Sequence, residues 1–214
     1  MTSVPRIQTV RRPPLPGWAL YGGRLLAFAP VAVRVDPGSN DKDPLDLSIE
    51  MELDIANGRL VCTELTARRI AEDGPGVTGE ELRRIPVAKL VEIAALELNV
   101  LLERNGPKAE WSNVEPPPKD FAKDGMTDDA LEMFSRAYAA VQATGGRPSG
   151  VFLNVYGMPR GTSSRWLATA KRRGILVEDH RRLELDAGEP TSDEKLDALI
   201  EQGHENYRRE HGKR

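Results

Sequence analysis

LDLSIEMELDIANGRLVCTELTARRI, residues 45–70, decides the fold of the first half of the chain. Leu45, Leu47, Ile49, Met51, Leu53 and Ile55 recur at every second position, the spacing that places side chains on one face of a strand. Asn57-Gly58 follows, a pair that favours the tight two-residue turn of a hairpin because both residues tolerate a left-handed backbone. The return run RLVCTELTARRI also alternates, so the two runs are expected to pair as an antiparallel hairpin with one buried face. Upstream, LLAFAPVAVRVD (25–36) has strand character, and the breaker-rich PGSNDKDP (37–44) ends it. The expectation is a small sheet. Cys62, inside the return run, reads as a small core residue rather than a nucleophile.

Helices should cover this sheet. Thr78 and Glu81 have the spacing of a capping box, in which each side chain satisfies a free backbone amide. Pro86 suits the first turn of a second helix. There Val87, Leu90, Val91, Ala94, Leu98, Leu101 and Leu102 form one apolar stripe, with Asn105-Gly106-Pro107 as the stop. The stripe is expected to face the sheet and is also the candidate face of a homodimer. Residues 1–24 are proline-rich and carry only basic charges (Arg6, Arg11, Arg12 and Arg24), so they read as a mobile basic arm. Residues 107–125 contain Pro116, Pro117 and Pro118 in a row and read as a stiff linker between domains.

Beyond the linker three helices are expected, within DDALEMFSRAYAAVQATG (128–145), PSGVFLNVYG (148–157) and PRGTSSRWLATAKRRG (159–174). Gly157 stands where a helix-turn-helix needs a left-handed residue, and Met158 can fill the angle between its helices. With that register Ser163, Trp166 and Ala170 turn inward. Arg160, Gly161, Ser164 and Arg165 turn outward, where base edges would lie, and Thr162 suits a phosphate contact. Lys171, Arg172 and Arg173 lie further along and are expected to meet phosphates. Between residues 147 and 182 eight basic residues face two acidic ones, a local charge of +6 inside a chain of net −3. ILVEDHRRLELD (175–186) reads either as a wing hairpin or as a tail, and TSDEKLDALIEQ (191–202) as a terminal helix capped by Thr191 and Glu194.

Other functions find no support in the pattern. No phosphate loop, dinucleotide glycine motif or GxSxG elbow occurs, so no enzyme and no cofactor are expected. His180, His204 and His211 have no cysteine near them, which is not the spacing of a metal site. There is no run of about 18 apolar residues and no signal-peptide core, which implies no membrane partner. The single cysteine fits a reducing, cytoplasmic setting.

The stretch YGMPRGTSSRWLATAKRRGIL (156–176) resembles the helix-turn-helix of a family of uncharacterised actinobacterial and actinophage proteins, with its G-hydrophobic-P/S-R-x-T-x-x-R-W core. GRLVCTELTAR and VTGEELRRIPVAKLV resemble its upstream pattern, so the likeness spans about 45–104 and 127–178. It implies a DNA-binding, regulatory protein. It departs at Leu153, where the family usually has an alanine packed against the third helix.

Together these readings predict an α+β chain. A small N-terminal antiparallel sheet with covering helices (25–106) would follow the arm (1–24) and precede the linker (107–125). An all-α helix-turn-helix domain (126–185), with or without a wing, and a C-terminal helix with basic tail (186–214) would complete it. The expected partner is double-stranded DNA, bound by a homodimer. The alternatives are a protein-interaction module with a non-binding helix-turn-helix, and an accessory factor in DNA recombination or packaging.

Overall fold

The computed structural model describes residues 6–13, 16–36, 47–70, 75–104, 111–183 and 198. In chain order come β1 (Arg6–Arg11), β2 (Trp18–Leu20), β3 (Leu25–Ala27), β4 (Val31–Asp36), β5 (Leu47–Ala56) and β6 (Arg59–Arg69). Then follow α1 (Gly79–Arg84), α2 (Val87–Glu97), β7 (Leu101–Arg104), β8 (Trp111–Asn113), α3 (Asp128–Ala143), α4 (Pro148–Tyr156), α5 (Arg160–Arg172) and β9 (His180–Arg182). The strands form two antiparallel sheets, ordered β1-β4-β5-β6 and β8-β7-β3-β2-β9. The terminal helix expected around 191–202, with its capping residues Thr191 and Glu194, lies outside the described residues apart from residue 198.

The first sheet follows its sequence pattern. Along β5 every second residue from Leu47 to Ile55 is buried. Asn57 and Gly58 have φ of 50° and 71°, the left-handed pair that a hairpin turn of matching twist requires. A register shift between Glu52 and Leu53 sets Leu53 opposite Cys62. Burying each large apolar side chain of β5 stabilises the sheet by roughly 1.5–3 kcal/mol. At α1 the capping box is present. The Glu81 carboxylate accepts bonds from the Thr78 amide, from Arg69 and from the Thr78 hydroxyl, and together these hold its pKa down at about 2. Leu90, Val91, Ala94 and Ala95 of α2 are buried, with α2 packed on β6.

The fold departs from the expected class. Two sheets are present rather than one, and the helices after residue 126 are not a separate all-α domain. Leu131, Phe134, Phe152 and Trp166 share one buried cluster with Leu20, Leu25, Met51 and Leu60 of the sheets. The reason is one of area: three short helices bury too little apolar surface to make a core of their own, so α3 lies on β6. The segment after α5 then supplies β9, which hydrogen-bonds along β2 instead of folding into a wing hairpin. A bare β2 edge would leave its backbone groups without partners, and β9 supplies them.

Three local expectations also change. Arg6–Arg11, read as part of a mobile arm, is an edge strand paired with β4. The α2 stripe stops at Glu97, because Asn99 turns the chain with φ of 52° and Leu101 and Leu102 belong to β7. Arg12 caps that helix end, donating to the carbonyl oxygens of Leu98 (3.3 Å) and Asn99 (2.9 Å) while its guanidinium lies 3.8 Å over the Phe28 ring. Trp111–Asn113, inside the expected linker, pairs with β7. One buried polar tie joins the second sheet to α3: Glu103 accepts from the Arg136 guanidinium and from the Glu115 amide.

Candidate nucleic-acid interface

The helical region is built from its aromatic core outward. Thr127 caps α3, accepting from the Ala130 amide at 3.2 Å, with Asp128 and Asp129 in the favourable first turn. Phe134 of α3 stacks on Phe152 of α4 with ring centroids 4.4 Å apart, and tilts against Trp166 of α5 at 5.7 Å. Gly157 ends α4 with φ of 62°, so the chain turns in the left-handed region as the sequence predicts. Met158 is buried in the angle, and its amide donates to the Phe152 carbonyl oxygen at 2.9 Å.

The inward side of α5 is Ser163, Trp166 and Ala170, all buried. The Ser163 hydroxyl donates to the Arg160 carbonyl oxygen at 2.9 Å, which satisfies that buried hydroxyl. Gly161, Ser164, Arg165, Ala168 and Arg172 lie on the opposite side, exposed, and Arg160 is exposed at its start. Thr162 is half-buried. The outward row alternates small residues with arginine, so another backbone can approach closely while the arginines reach past it.

The expected basic residues divide into two sets. Lys171 pairs with Glu178 at 2.6 Å and Arg173 with Asp128 at 2.5 Å, while Arg172 donates to the Thr169 hydroxyl at 3.5 Å. Arg160 and Arg165 have no side-chain partner among the described residues. The sequence revealed these charges but not their pairing, because Asp128 lies 45 positions from Arg173. Such exposed pairs are worth about 0–1 kcal/mol and can be exchanged for a phosphate. Leu153, where the resembled family usually has an alanine, does not pack between α4 and α5. It is 43% exposed, and Phe152 fills the interhelical space.

His180 sits beside this region. Its Nδ1 accepts from the Tyr21 amide at 3.3 Å, and its ring meets the Tyr21 ring edge-on at 4.6 Å. Burial pushes its pKa below the usual value, with Asp179 and Glu178 pulling the other way. Among the described residues no group of three or more His, Cys, Asp or Glu side chains could hold a metal ion. No helix among them is long and apolar enough to cross a membrane. Compared with protein families, with curated proteins and with solved structures, the chain matches none.

Proposed function

We propose that the protein binds double-stranded DNA, with α5 entering the major groove, and that it regulates transcription. The observation that carries this reading is the pair Arg160 and Arg165, exposed and unpartnered among the described residues, on a helix whose other side is fixed by Trp166. Arginine is the side chain best suited to grip guanine with two parallel hydrogen bonds. The small side chains of Gly161, Ser164 and Ala168 between them favour close approach. Thr162 at the helix start and Lys171, Arg172 and Arg173 at its end flank the row, where phosphates would lie.

Fluorescence anisotropy on a labelled duplex selected from a random pool tests this. Binding should weaken steeply with salt, and Arg160→Ala or Arg165→Ala should each cost on the order of 1–3 kcal/mol on the selected site. Variants that melt like the parent and bind as tightly remove α5 as the reader.

A second reading, a protein-interaction module, is favoured by Leu153 and Val155, which α4 leaves 43% and 48% exposed. A homodimer would need a surface of this kind, since Leu90, Val91 and Ala94 of the α2 stripe are buried inside the chain.

A further inference from the structure

The segment leading into α3 and the turn between α4 and α5 enclose a groove of about 430 Å³. Tyr156, Met158, Trp166 and Met126 line it together with Lys119, Asp120 and Thr162. Phe121 braces the two large rings from behind, edge-on to Tyr156 at 5.2 Å and to Trp166 at 6.0 Å. These rings are therefore fixed in place by packing.

Most polar side chains of the groove can donate, and its one carboxylate, Asp120, is paired with Lys123. The Trp166 indole N–H and the Tyr156 phenol meet no acceptor among the described residues, and neither is sealed away from solvent. Burial raises the Tyr156 pKa, which keeps that phenol protonated and able to donate. At the start of α5 the cap is Pro159, with no side-chain cap and no acidic residue in the first turn. The amides of Thr162 and Ser163 donate to the Pro159 carbonyl oxygen, whereas those of Arg160 and Gly161 precede the first helical bonds. This is the positive end of a 13-residue helix. Lys119 has no carboxylate partner among the described residues, while Lys123 pairs with Asp120 at 3.2 Å.

We propose that this groove binds a small organic anion, a flat apolar acid of the aryl carboxylate class. Its charged group lies at the start of α5 beside Lys119, and its ring lies against Tyr156 and Trp166. The volume falls in the range of about 300–1,000 Å³ usual for small-molecule sites. Donor groups beside apolar side chains select for charge and ring together, which neither a bare inorganic anion nor a neutral arene supplies. The inference does not rest on DNA binding.

Amide and indole NMR of the full chain, titrated with 1-naphthoate, 1-naphthamide and inorganic phosphate, tests it. Naphthoate should shift the amides of Arg160, Gly161 and Thr162 together with the Trp166 indole. Naphthamide should bind about tenfold more weakly, and Lys119→Gln, on a protein that melts like the parent, should weaken naphthoate by about threefold or more. Phosphate should leave the Trp166 indole unmoved. The proposal is overturned if naphthoate and naphthamide bind alike or shift residues elsewhere. It is equally overturned if phosphate reproduces the naphthoate shifts, or if folded Lys119→Gln binds naphthoate as the parent does.

Discussion

The two sheets of this protein are assembled by opposite means. In the first, β5 and β6 are ten and eleven residues long and adjoin in sequence, so one turn at Asn57-Gly58 sets their register. In the second, β2, β3 and β9 have three residues each, and β9 meets β2 from the far end of the chain, with Trp18 opposite Arg182. A long local pairing carries its own specification. A short distant one exists only because the rest of the molecule holds its ends in place, here through Gly22 donating to Asp179 and Leu183 donating to Gly17.

The largest effect should come from cutting the distant pairing altogether. A fragment of residues 126–214 keeps the three helices but loses β2, β6 and the sheet side of the shared core. It should give no cooperative thermal transition by circular dichroism. A sharp two-state melt would mean that the helices carry an independent core and that the second sheet is an accessory.

A finer comparison uses two glycines. Gly58 has φ of 71°, and a Cβ there would lie 2.3 Å from the His180 ring, so Gly58→Ala combines backbone strain with a clash between the hairpin turn and the β9 strand. Gly157 has φ of 62° with nothing within 4 Å, so Gly157→Ala carries the strain alone, roughly 1–2 kcal/mol. Urea unfolding should find Gly58→Ala the more damaging of the two. Equal costs would show that the turn does not depend on His180.

The smallest effect concerns pH. Because His180 has a folded pKa below its unfolded value, the unfolded chain binds more protons, and stability rises with pH through this window. Its contribution is complete above the ordinary value of 6.5 and is lost as pH falls from there through the lowered folded value. Urea midpoints measured from pH 7.5 down to pH 5 should therefore fall less for His180→Gln than for the parent. Parallel curves would show that the Tyr21–His180 contact does not sense protonation.

What the sequence disclosed follows the same division. The β5 face was legible because period-two alternation persists over ten residues. The α5 register was legible because one glycine, Gly157, fixes where Ser163, Trp166 and Ala170 must turn. Trp-Ala-Leu and His-Arg-Arg were not legible as strands, since three residues carry no periodicity and their pairing is a tertiary event. The same limit hid the Arg12 cap on α2, the Arg173–Asp128 pair, and the groove that residues 119–126 and 156–166 make between them. The all-α domain was a wrong expectation for a related reason: helical periodicity states that an apolar face exists but not whether helix or sheet covers it.

The pairing of β9 with β2 also sets a timetable for the ribosome. Strand β2 emerges early in translation, but its partner is about 160 residues downstream, on the order of 10–30 s at ordinary elongation rates of about 5–20 residues per second. For that interval β2, only three residues long, lacks the partner on one of its edges, and its shortness limits pairing with other chains. The second sheet therefore gains its β9 edge only after everything between Leu20 and His180 has been made.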